Sequence, residues 1–118
     1  MKLKVTSQNK AVSDDLVTLV HRQVGYALAR FESRIRNISV RLSDLNGPKG
    51  GIDKHCKIMV TFRNGDSVVA EVADVEFEPV IHRAVDRVAK RVQRHWRTMQ
   101  TRARSAATIR KNETGVGE

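Results

Sequence analysis

At 118 residues the chain is long enough to enclose one two-layer core and too short for two. Its 22 Lys and Arg outweigh 13 Asp and Glu, for a net charge of +9, and the lone Cys56 rules out an internal disulfide. No segment approaches the roughly twenty apolar residues of a membrane span, and the alternating start Met1-Lys2-Leu3-Lys4-Val5 lacks the apolar run of a secretion signal, so a soluble cytoplasmic protein is expected.

Residues 2–6 set Leu3 and Val5 against Lys2, Lys4 and Thr6, the period-two pattern of a half-buried strand. A helix is predicted over residues 14–36. Ser13 is its N-cap, Asp14 and Asp15 suit the positive end of the helix dipole, and Leu16, Val20, Val24, Leu28, Phe31 and Ile35 recur at helical spacing. The exposed row holds Arg22, Tyr26, Arg30 and Arg34. Gly25 costs about 1 kcal/mol relative to Ala in a helix interior, which points either to close backbone packing or to a local weakness.

Residues 38–43 alternate again, with Ile38, Val40 and Leu42 inward. The run Asn46-Gly47-Pro48-Lys49-Gly50-Gly51 is turn chemistry. Cys56, Ile58, Val60 and Phe62 form the inward row of a third strand, and Asn64-Gly65 marks a tight hairpin into a fourth with Val68, Ala70 and Val72 inward. The last helix is predicted to start near Glu76 or Phe77 and to end near Arg104, with Pro79 in the first turn, where its missing N–H is not needed. Val85, Val88 and Val92 are mediocre helix formers, each costing about 0.5 kcal/mol, but burial returns about 1.5 to 3 kcal/mol apiece. Residues 1–105 thus read as a single domain and 106–118 as a disordered tail.

The order β-α-β-β-β-α predicts an α+β fold with both helices packed on one face of a four-stranded sheet. This is the order of a double-stranded-RNA-binding domain with an added first strand, and it favours recognition of RNA shape and phosphate. An RNA-recognition motif would read β-α-β-β-α-β and carry aromatics on its open sheet face, whereas the outward rows here are Lys2, Lys4, Arg41, Lys57, Met59 and Arg63.

Charge is concentrated in one segment. Residues 83–111 contain ten Lys and Arg (Arg83, Arg87, Lys90, Arg91, Arg94, Arg97, Arg102, Arg104, Arg110, Lys111) and one acid, Asp86, while residues 1–82 are nearly balanced. Arg83, Arg87, Lys90, Arg94 and Arg97 make one helical row opposite Ile81, Val85, Val88, Val92 and Trp96. A merely solvated helix face is the plain alternative. The preponderance of arginine, whose planar fork suits phosphate, and the shortage of acidic partners at i, i+4 favour a polyanionic partner, nucleic acid foremost.

His21, His55, His82 and His95 have no ligand-type spacing with one another or with Cys56, so no metal or other cofactor is expected. Asp14, Asp15, Asp44, Asp53 and Asp66 fall at predicted caps and turns, and no nucleophile or phosphate-loop motif occurs, so no enzyme is expected. Gly47-Pro48-Lys49-Gly50 matches the GxxG of KH domains in letters only, since strands flank it here. A basic amphipathic helix can lie on anionic lipid, but the valine row is already required by the sheet.

Leu3-Lys4-Val5-Thr6-Ser7, Ala29-Arg30-Phe31-Glu32 ahead of Ile38-Ser39-Val40-Arg41-Leu42, and Ala84-Val85-Asp86-Arg87-Val88-Ala89-Lys90-Arg91-Val92 together resemble the ribosome hibernation-promoting factor and ribosome-associated inhibitor family, the sigma-54 modulation or S30EA-like proteins, over roughly residues 2–100. The resemblance implies a stress or stationary-phase factor that occupies the small ribosomal subunit near the decoding region, contacts its rRNA and excludes mRNA and tRNA, acting by blocking and not by catalysis. It implies rRNA contacts by Arg87, Lys90 and Arg91, continued by Arg94 and Arg97, and by Arg22 and Arg30 on the first helix. Arg83 completes the candidate set, although it lies beside a departure from the family pattern: Glu76-Phe77-Glu78-Pro79-Val80-Ile81 stands where members commonly carry an Asp-hydrophobic-Tyr-Ala-Ala-Ile type of run. The chain resembles a short form, without the C-terminal dimerisation domain of long members, and is expected to be a monomer off the ribosome. The remaining alternative is a structured-RNA-binding domain that does not act on ribosomes.

Overall fold

A computed structural model describes residues 1–7, 13–44 and 54–116, with side chains described as far as residue 103. The turn chemistry of residues 46–51 lies outside the described residues. The elements are β1 (Lys2–Ser7), α1 (Asp14–Leu28), a 3-10 helix (Ala29–Arg34), β2 (Ile35–Asp44), β3 (Lys54–Phe62), β4 (Ser67–Asp74) and α2 (Phe77–Val116). The sheet runs β1-β2-β3-β4; β1 is parallel to β2 because α1 serves as their crossover, and the two following pairs are antiparallel. The α+β architecture and its β-α-β-β-β-α order are those predicted.

The register explains the core. Val5, Val40, Ile58 and Ala70 stand in one row across the four strands, and Leu42, Cys56 and Val72 in another. Onto this face α1 brings Val20, Val24 and Leu28, and α2 brings Val80, Ile81, Ala84, Val85, Val88 and Val92. The last helix therefore holds its β-branched residues in helical geometry by burying them, as the energetics of the valine row require.

Ser13 caps α1, its Oγ accepting from the Leu16 N–H at 3.3 Å, but the helix stops well before residue 36. Leu28 leaves helical geometry (φ −114°, ψ 5°), the chain tightens into the 3-10 turns, and Ile35 opens β2, paired with Phe62. Helical spacing could not reveal this, because Phe31 and Ile35 are buried in either conformation. At Gly25 an added Cβ would meet no heavy atom within 4 Å, so its cost is a local weakness and not the condition of close packing. The predicted hairpin forms with Gly65 at φ 98°, its N–H donating to the Phe62 carbonyl at 3.0 Å.

The hairpin pins the middle of α2. His95 stacks on Phe62 with ring centroids 4.4 Å apart, and Asn64 Nδ2 donates to Met99 Sδ at 3.7 Å. Beyond it, α2 continues past Arg104, its expected end, to Val116; residues 117–118 lie outside the described residues. The stretch 105–114 contains neither Gly nor Pro, so no helix breaker occurs before Gly115. At 40 residues the helix is about 60 Å long at 1.5 Å per residue, and it sets the longest dimension of the molecule, 70 Å.

β4 is the last strand of the sheet, and the arginines of α2 cover its free edge. Arg91 Nη1 donates to the Val69 carbonyl, Arg87 Nη1 donates to the Glu71 carbonyl at 3.1 Å, and Arg83 Nη1 pairs with Asp74 Oδ2 at 2.9 Å. Edge carbonyls that would otherwise invite a foreign strand are thus occupied by cations.

Three outcomes follow in urea titrations. Gly25→Ala should raise stability by about 0.5 to 1 kcal/mol, since its site is helical and open. Arg87→Gln with Arg91→Gln should lower it by about 1 to 3 kcal/mol, two hydrogen bonds at about 0.5 to 1.5 kcal/mol each; an unchanged midpoint would remove the edge-capping role. Burial pushes the Cys56 thiol up from 9.0 to about 12. The unfolded chain therefore releases this proton first, and the stability contributed by the neutral buried thiol is complete below pH 9 and lost as pH rises toward 12, a loss that Cys56→Ala should abolish.

Candidate nucleic-acid interface

On the open face of the sheet Glu71 answers two basic side chains, while Lys2, Lys4 and Arg41 are exposed there. Lys57 Nζ lies 3.6 Å from Glu71 Oε1, in the row that also contains Arg41, and His55 Nε2, from the next row on that face, lies 3.4 Å from Glu71 Oε2. On the other face, at the far end of the sheet, Lys54 Nζ pairs with Asp44 Oδ2 at 2.9 Å and lies 5.9 Å from the Phe77 ring centroid.

The helical row does not act as one uniform stripe. Arg83 is tied to Asp74, and Arg87 and Arg91 lean over the β4 edge. Lys90 Nζ pairs with Asp86 Oδ2 at 3.1 Å, an i, i+4 pair that corrects the expected shortage of acidic partners, though both side chains are about two-thirds exposed or more and such a pair is weak. Arg94 and, on α1, Arg22 are exposed and have no side-chain hydrogen bond or ion pair among the described residues. Both are free for an external anion.

On the opposite flank of α2, Arg97 meets the 3-10 helix. Arg30 lies on that 3-10 helix instead of on α1, with Cζ 4.8 Å from the Phe31 ring centroid. Gln93, in the amide orientation that both neighbours require, accepts from Arg30 Nη2 at 3.2 Å and from Arg97 Nη2 at 3.1 Å. A cleft of about 430 Å³ opens here, and Arg34 and Trp96 also line it. Trp96, read from the sequence as part of the apolar row, is half-buried, and the Arg34 guanidinium stacks 4.2 Å over its ring.

Sequence reasoning assigned no role to Arg34, Gln93 or Tyr26. Tyr26 is 84% exposed on α1, one turn from both Arg22 and Arg30 in sequence, so an aromatic face stands among cations. Helical spacing had already put Tyr26 and Arg34 in the exposed row of the first helix, which was the available signal. For Gln93 there was none, because its value depends on two arginines from different elements.

Among the described residues no group of three or more His, Cys, Asp or Glu is gathered as a metal would need. His55 and Cys56 are successive strand residues on opposite faces, the thiol in the core and the imidazole beside Glu71. Among the described residues no helix is long and apolar enough to cross a membrane.

The fold has counterparts among solved structures. A ribosomal subunit interface protein from Coxiella burnetii superposes with a TM-score of 0.68 at 15% identity, over 80% of this chain and 97% of that one. The N-terminal domain of Protein Y from Thermus thermophilus superposes with a TM-score of 0.65 at 26% identity, over 80% of this chain and 99% of that one. A comparison with curated proteins finds no match. The sequence pattern described as "Sigma 54 modulation protein / S30EA ribosomal protein" matches residues 3–100. With residues 3–100 matched by the family pattern and the fold shared with these structures, the chain belongs to the sigma 54 modulation protein / S30EA ribosomal protein family.

Proposed function

We propose that this protein binds the small ribosomal subunit near its decoding region through rRNA and keeps mRNA and tRNA out, as a translation-silencing factor of stress or stationary phase. Ribosome association comes with the family. The observation that supports the finer reading is the helical side of the domain, where Arg22, Arg94 and the Arg30–Arg97 pair stand without a carboxylate partner among the described residues. Arg83, Arg87, Lys90 and Arg91 extend this surface along α2. The Lys90–Asp86 and Arg83–Asp74 pairs are weak enough for a phosphate to displace, while Arg87 and Arg91 can reach RNA from positions that also hold the β4 carbonyls.

Blocking requires occupancy alone, so no catalytic group is invoked. The binding unit is the domain of residues 1–105, acting in the cytoplasm and monomeric off the ribosome. Arginine forks suit the paired oxygens of phosphate, and structured RNA is recognised largely through its shape and backbone.

Co-sedimentation with isolated small subunits tests the proposal. The affinity should fall with salt at a log–log slope of about −3 to −5, from three to five phosphate contacts at roughly −0.9 each. Arg22→Gln with Arg94→Gln should weaken binding about tenfold or more, while thermal stability stays within about 0.5 kcal/mol of the parent. Absence from small-subunit fractions would sink the proposal, and equal affinity for an isolated RNA duplex would favour the structured-RNA binder that does not act on ribosomes.

A further inference from the structure

The cleft between the 3-10 helix and α2 contains a conflict that the chain leaves unresolved. Arg30 and Arg97 both donate to the single neutral oxygen of Gln93, and Arg34 stands in the same cleft. Its lining includes Ser33 and Trp96 but no Asp or Glu. Three guanidinium groups are thus held together by one amide oxygen and by ring contacts. Like charges gathered in this way repel, and side chains as long as arginine would separate in open water unless packing held them. An anion entering the cleft would supply the missing acceptors, and paired oxygens would match two forks at once.

The second feature is the platform beside them. Arg34 is exposed, with one face of its guanidinium against Trp96 at 4.2 Å, so its outer face is open to solvent. A guanidinium plane backed by an aromatic ring is a surface on which an unpaired base stacks, and single-stranded RNA is recognised by such stacking together with backbone contacts. Charge for a phosphodiester and a plane for a base therefore lie in one cleft of about 430 Å³.

We propose that this cleft binds one unpaired nucleotide of RNA, with its phosphate held by Arg30 and Arg97 and its base stacked on Arg34 over Trp96. The inference rests on the ribosomal reading only for naming the polymer as rRNA. It separates this site from the outer row of α2, which can follow the backbone of a duplex.

Trp96 is the only tryptophan in the chain, so the tryptophan fluorescence comes from a ring that lines this cleft. A short single-stranded oligoribonucleotide should quench it, and a duplex of the same sequence should do so much less. Arg34→Gln with Arg97→Gln should weaken the oligoribonucleotide about tenfold or more. Gln93→Glu gives a readout that a packing role would not: a carboxylate between two arginines should hold or raise the melting temperature and still weaken RNA binding. Inorganic phosphate competing as well as the oligoribonucleotide would overturn the nucleotide reading, leaving an anion site only. Equal quenching by the duplex would overturn the stacking. If Gln93→Glu and the arginine pair variant bind small subunits as the parent does, the cleft plays no part, and the proposed function survives without it. If the parent ignores ribosomes but its Trp96 is quenched by the oligoribonucleotide, the cleft stands and the ribosomal reading falls.

Discussion

Ile81, Val85, Val88 and Val92 leave water only by lying on the face of the sheet that carries Ile58, Val60, Ala70 and Val72, and all eight are buried in one core. Four side chains of this size, each worth about 1.5 to 3 kcal/mol on burial, fix the rotation of α2 about its own axis. Every other property of the helix follows from that rotation. The positions opposite the valines must face outward, and the positions on the two flanks must meet whatever lies beside the helix.

The flanks are where arginine takes on different duties. Toward β4, Arg83, Arg87 and Arg91 close an exposed strand edge. Toward the 3-10 helix, Arg97 joins Arg30 around Gln93. Between them, Arg94 faces solvent with no side-chain partner among the described residues. One helical row is therefore part scaffold and part binding surface, and a substitution in it has to be read against stability before it is read as a binding effect. This division also explains why the family resemblance alone does not rank its basic positions, since a shared arginine can be retained for the edge of the sheet as well as for RNA.

Much of the architecture was legible in the chain. Period-two rows located the strands, Asn64-Gly65 located the hairpin, and Ser13 with its two following acids located the start of α1, because each signal depends on neighbours a few residues away. The errors fall where a local signal was ambiguous. Phe31 and Ile35 are buried whether the backbone is helical or not, so the end of α1 could not be seen. The far end of α2 lies beyond Arg104 because no Gly or Pro interrupts residues 105–114, and a polar stretch of this kind carries no local stop signal.

The sequence by itself determined the fold class and which residues of each element face the core, because apolar periodicity is a local property that burial then enforces. It also determined that the last helix would be strongly cationic. Only the tertiary structure decided what each cation does. Arg87 and Arg91 find carbonyls on β4, and Arg97 joins Arg30 around Gln93. Charge is carried by a residue, but its availability depends on partners brought close by chain crossings many residues apart, and no spacing along the chain records those distances.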